Sequence, residues 1–209
     1  MTRRTLDLVL SAGGLALSAL LLIIGIVLTS NADFAKGYVR EQLPEQRITF
    51  KEEADLTESE RGAECLRRYA GEPLATGKQA ECYANELIGR HLETIPGANG
   101  RTYAELGDEQ TALRARIAEA QRTDANAVPA LQQQLTGVTA ARETVFKGET
   151  LRGLLLTSYG FSVFGVRGEQ VALAVYITAA LLAVLSIAGL VHAFTVRRVE
   201  RIFEASGTT

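Results

Sequence analysis

The stretch that decides the fold is Leu8–Leu28, LVLSAGGLALSALLLIIGIVL, joined by a second near the other end, Val171–Phe194, VALAVYITAALLAVLSIAGLVHAF. Leu8 to Ala32 is 25 residues without a charge, and Gln170 to Val196 is 27. At a rise of about 1.5 Å per residue, Leu8–Leu28 reaches roughly 30 Å, the hydrocarbon thickness of a bilayer. A helix satisfies every backbone amide internally, which lipid requires. Across all 209 residues, 47% are apolar and 22% charged. Gly 19, Pro 4 and Cys 2 exclude collagen, a disulfide-dense miniprotein and a fully disordered chain. The expected fold is an all-α membrane protein with two transmembrane helices flanking an extracytoplasmic helical domain.

Both apolar segments carry small residues at three- and four-residue spacing. Ser11, Gly14 and Ser18 line the first, and Ala179, Ala183, Ser186 and Gly189 the second. Such stripes allow close helix packing, either on each other or on a partner. Orientation follows from the flanks. Arg3 and Arg4 precede the first segment, and Arg197, Arg198 and Arg201 follow the second, whereas residues 33–169 hold 17 basic and 21 acidic groups. The positive-inside rule therefore places both termini in the cytoplasm and the centre outside the plasma membrane. A cleaved signal peptide ending at Ser30-Asn31-Ala32 is the rival reading. An apolar core of about 21 residues exceeds the usual 7 to 15 and favours an uncleaved anchor.

The expected division is a cytoplasmic N-terminus at 1–7, transmembrane helix 8–30, a membrane-proximal connector at 31–56, an extracytoplasmic helical domain at 57–148, an apolar helix at 149–166, transmembrane helix 170–196 and a cytoplasmic C-terminus at 197–209. In the connector, Phe34, Tyr38 and Arg40 continue the first helix until Pro44 stops it. Arg47–Phe50 reads as a short extended piece. Thr57 with Glu60, and Thr76 with Gln79, are capping-box patterns. They predict helices from 57 to about 70 and from 77 to 94, paired as a hairpin. A Gly-rich loop spans 96–107, helix resumes near Asp108, and Pro129 sits at a first-turn position. Val128, Leu131, Leu135, Val138, Arg142 and Val145 then alternate at three and four residues, as one arm of an intramolecular pair.

Cys65 and Cys82 stand 17 positions apart on the two arms of the expected hairpin. An extracytoplasmic location permits a disulfide between them; two separately buried thiols are the alternative. Gly153–Val166 is uncharged over 14 residues, too few for an ordinary span. It suits an interfacial helix, with Tyr159, Phe161 and Phe164 near the headgroups and Arg152 toward water; a buried helix of the outer domain and a re-entrant segment are the alternatives.

Several segments resemble a group of small actinobacterial membrane proteins with an anchor at each end: Phe34–Leu43 (FAKGYVREQL), Thr76–Asn85 (TGKQAECYAN), Thr102–Glu105 (TYAE) and Phe146–Leu156 (FKGETLRGLLL). The resemblance implies the two-anchor arrangement and no defined activity. Relatives are sometimes labelled aromatic ring-opening dioxygenases. A non-haem iron oxygenase needs two His and a carboxylate together. The chain has two histidines, His91 in the middle and His192 at the end of the second apolar segment, on opposite sides of the expected membrane. No catalytic set, metal site or cofactor is expected, and the short Arg67-Arg68 and Arg197-Arg198 pairs do not signal nucleic-acid binding. Two function classes remain: a structural or accessory component of an envelope or respiratory membrane complex, and an extracytoplasmic ligand-binding or sensing module whose Gly97–Gly100 loop covers a cleft.

Overall fold

The computed structural model describes residues 3–195. The C-terminal signals Arg197, Arg198 and Arg201 lie outside the described residues. Among the described residues every regular element is helical: α1 (Arg3–Glu45), α2 (Glu58–Arg61), α3 (Glu64–Arg68), α4 (Gly77–Cys82), a π-helical segment (Tyr83–Gly89), α5 (Arg90–Glu93), α6 (Tyr103–Thr123) and α7 (Val128–Thr195). α1 and α7 are long and apolar enough to cross a membrane. Only 11% and 17% of their most apolar windows are buried within the chain, unlike the core helices of a soluble protein.

The chain divides into two compact units, Met1–Lys36 with Phe164–Thr209, and Gly37–Val163. In the first, α1 and α7 run antiparallel and pack through their small residues. A Cβ added at Gly14 would collide with the Ser186 side chain, and one at Gly189 with Ser11. Ser18 Oγ donates to the Ala179 carbonyl at 2.9 Å. A Cβ at Gly25 would lie 2.6 Å from the Tyr176 ring, whose hydroxyl is 3.2 Å from Thr29 Oγ1. The small stripes therefore serve the chain's own helix pair, a use that local sequence left open. Polar clasps close both ends: His192 Nδ1 lies 3.0 Å from Asp7 Oδ2, and Lys36 pairs with Glu169 and with Asp33 at 3.4 Å. From Glu169 to His192 the helix rises about 35 Å, close to the thickness of a bilayer's apolar core. Leu10, Ile23, Leu181 and Leu185 face outward between the clasps.

The second unit is built around Phe50, Leu66, Leu74, Leu106, Leu113, Val138 and Val145. Each fully buried leucine contributes about 1.5–3 kcal/mol by leaving water. The extended piece exists as one isolated bridge, Thr49 to Pro73, flanked by Phe50 N–H donating to Glu72 O and Leu74 N–H to Ile48 O. Both expected capping boxes form, at Thr57/Glu60 and Thr76/Gln79. The helix expected from 57 to 70 is broken at Gly62 and Ala63 into α2 and α3. α1 ends at Glu45, one residue past Pro44. α6 starts at Tyr103, earlier than expected, because Thr102 and Glu105 form a third capping box. Leu131, Val138 and Val145 of α7 point into the core at the expected seven-residue repeat.

Two further features lock α6 to α7. The Arg142 guanidinium stacks 3.9 Å from the Tyr103 ring centre and donates to Tyr103 O at 3.1 Å and Gln110 Oε1 at 2.8 Å. The buried Gln110 amide in turn donates to Thr139 Oγ1 at 2.7 Å, so no polar atom of this side chain is left unmet. Residues 149–166 do not form a separate element, since α7 stays helical through Arg167, Gly168 and Glu169. Three charged or glycine residues do not break a helix whose backbone bonds are uninterrupted.

Candidate functional site

The site begins with the capping box that opens α4. Gln79 Oε1 accepts from Thr76 N–H, and its amide donates to Glu72 Oε2, which fixes the start of the helix. Downstream, Tyr83–Gly89 widens into π-helical turns. A π turn inserts a residue and re-aims the side chains beyond it, and such turns occur often at functional sites. Here Ala84 and Ile88 still reach the core, while Asn85, Glu86, Gly89, Arg90 and Glu93 face a cleft of about 410 Å³.

The second wall is the loop after α5. Gly97, Asn99 and Gly100 all have positive φ, at 82°, 51° and 74°. Glycine takes this conformation without strain and Asn tolerates it. The loop is held by Arg101, which donates to Ala98 O at 2.9 Å and Gly97 O at 2.7 Å and pairs with Glu109. Thr102 closes the wall at the start of α6. Its N–H and hydroxyl donate to Glu105 and hold that carboxyl below its ordinary value. The third wall is α7, through Val145, Glu149 and Arg152. Close approach of this wall depends on Gly148, where a Cβ would sit 2.6 Å from Leu92 Cδ2.

Charges in the cleft are paired unevenly. Arg90 grips Glu86 through Nε at 3.0 Å and Nη2 at 2.7 Å. Arg152 Nη2 reaches Asn85 Oδ1 only at 3.4 Å, and its Nη1 lies 3.5 Å from Glu149. Arg152 Nε is buried with no hydrogen-bond partner among the described residues. A buried donor of this kind costs about 1–3 kcal/mol when unmet.

Comparison with known proteins finds no matching family, no matching characterised protein and no matching solved structure.

The side chains singled out from sequence fall in several places. Cys65 and Cys82 are joined, with Cα atoms 6.1 Å apart, linking α3 to the end of α4. Arg152 lines the cleft. Tyr159 lies beside Lys78, whose ammonium is 4.8 Å from the ring centre and donates to the hydroxyl at 3.3 Å. Hydrogen bonds to Glu81 and Tyr159 raise the Lys78 pKa. Phe161 packs near Tyr38, ring centres 6.5 Å apart, and Phe164 is exposed. Gly14, Ser18, Ala179, Ser186 and Gly189 meet in the helix pair, with Ala183 half-buried beside them. His91 is exposed in the Gly37–Val163 unit, while His192 belongs to the other unit. Among the described residues no three His, Cys, Asp or Glu side chains are grouped to hold a metal.

Sequence reasoning missed Asn85, Glu86, Arg90 and Arg101. Two local signals pointed to them: the Glu86/Arg90 pair at i, i+4, and the Thr102-x-x-Glu105 box that places the loop end. The π turn has no comparable signature.

Proposed function

We propose that this chain is an accessory protein of a cell-envelope or respiratory membrane complex, anchored by α1 and α7 in the plasma membrane. Both termini are cytoplasmic and the Gly37–Val163 unit is extracytoplasmic. The Cys65–Cys82 disulfide supports that side, because such bonds persist in oxidising compartments. The roughly 35 Å between the two polar clasps supports a bilayer-spanning pair. The arrangement also agrees with the two-anchor resemblance.

The observation that carries the accessory role is an exposed seam on α7. Thr150, Leu154, Thr157 and Phe161 follow a four-three-four spacing on one helical face, with Phe146 beside them. Phe146, Leu154 and Phe161 are 53%, 62% and 45% exposed. A Cβ at Gly153 or Gly160, on the flank of that face, would meet nothing within 4 Å. Large apolar side chains beside open glycines suit an apolar helix of another protein.

A photo-crosslinking amino acid at Leu154 or Phe161 in native membranes tests this reading. A discrete adduct with a different membrane protein is expected, and none from exposed Arg116 on α6. Adducts only with lipid, or only with a second copy, refute the accessory role. A second reading, a ligand-binding outer domain, is favoured by the cleft and the uneven pairing of its charges.

A further inference from the structure

We propose that the cleft between the π-helical segment, the Gly100–Thr102 loop and α7 binds a short unblocked peptide. Its carboxylate is taken by Arg152 and its ammonium by Glu93 and Glu149. This deepens the ligand-binding reading and is independent of the docking seam on α7.

Among the described residues of the cleft, Arg152 carries the guanidinium whose Nε–Nη2 edge is held least tightly. Arg101 is committed to two loop carbonyls and Glu109, and Arg90 spends its Nε and Nη2 on Glu86. On Arg152 the same edge is weakly held: Nε is buried without a partner among the described residues, and Nη2 makes a 3.4 Å bond to Asn85, so a carboxylate reaches Nε once the Asn85 side chain moves aside. That edge is one of the two on a guanidinium that receive a carboxylate bidentately. A bond so long is near the limit for hydrogen bonding, so little is lost when Asn85 yields to a carboxylate.

The sign of the walls selects the rest of the ligand. Arg90, Arg101 and Arg152 are matched by Glu86, Glu93 and Glu149 around one cavity. A dianion such as phosphate meets three carboxylates, and a dication meets three guanidiniums. A molecule with one charge of each sign meets neither penalty. Among the described residues Glu149 meets a cation only at the 3.5 Å contact to Arg152, and Glu93 is exposed at the rim. Leu92 and Val145, both buried, close the floor of the cleft behind the charged groups. The volume of about 410 Å³ lies in the range of small-ligand clefts and exceeds the size of a single small amino acid.

The test is calorimetric titration of the full chain in detergent with trialanine, N-acetyl-trialanine, trialanine amide and inorganic phosphate. Trialanine is expected to bind, and each blocked peptide to bind at least tenfold more weakly. Glu93→Gln, at an exposed position, should reduce the preference for the free over the N-acetylated peptide. Arg152→Gln should abolish the preference for the free over the amidated peptide. Should Arg152→Gln fail to fold, the Glu93→Gln variant and the blocked peptides still decide the matter. No trialanine binding, equal binding of the blocked forms, unchanged preferences in the folded variants, or tighter binding of phosphate would each overturn the proposal.

Discussion

Replacing Cys65 and Cys82 together by alanine is expected to lower the melting temperature of the Gly37–Val163 unit by about 11 °C. The bond closes a loop of 17 residues in sequence. In the chain-entropy account, a loop of that length removes about 10 cal/mol/K from the unfolded chain, or about 3 kcal/mol near 25 °C. The unit spans 127 residues. At about 2.1 cal/mol/K of unfolding entropy per residue, that length gives about 270 cal/mol/K. Dividing one by the other gives the expected shift. The assay is thermal unfolding of the full chain in detergent, followed by helical circular dichroism, with and without reductant. Wild type with reductant should approach the double variant, and the double variant should ignore reductant. A shift below about 3 °C would refute the reasoning, because the link would then restrict little that the native contacts do not already restrict. The same cysteines test the orientation. In intact cells they should resist maleimide until reduced; ready labelling of both thiols by a permeant reagent without reductant would place this unit on the reducing side.

Three other outcomes follow from particular contacts. Burial raises the Glu60 carboxyl, but hydrogen bonds from Lys51 and Thr57 outweigh it and hold the pKa below the ordinary value. Its stabilisation is therefore complete above the ordinary carboxylate range and lost as pH falls through the depressed value; Glu60→Gln should flatten the acid limb of stability against pH, and an unchanged limb would contradict this. Gly148→Val should destabilise by about 1–3 kcal/mol through overpacking against Leu92, while Gly153→Ala, in open space, should be neutral or stabilise by up to about 1 kcal/mol in denaturant titration. Arg142→Ala should cost about 2–3 kcal/mol, since it removes charged hydrogen bonds and leaves the buried Gln110 oxygen unmet, whereas Gln110→Leu in the same background should recover part of the loss; a double variant as unstable as the sum of both singles would argue against the coupling.

The amino-acid sequence by itself determined the two long apolar helices, because run length and absence of charge are properties of consecutive residues. It also determined the helix starts at Thr57 and Thr76, since a capping box needs only four neighbouring residues. The start at Thr102 was equally legible and was hidden by the surrounding glycines. Tertiary structure alone decided how those parts meet. The small stripes of α1 and α7 pack on each other through pairs such as Ser18 and Ala179, 161 residues apart. Arg152, which reads locally as a water-facing residue of an interfacial helix, lines a cleft because Asn85 and Glu149 flank it there. Both arrangements depend on side chains packing across the fold, where contact energies between distant residues outweigh the few tenths of a kcal/mol that typically separate local propensities.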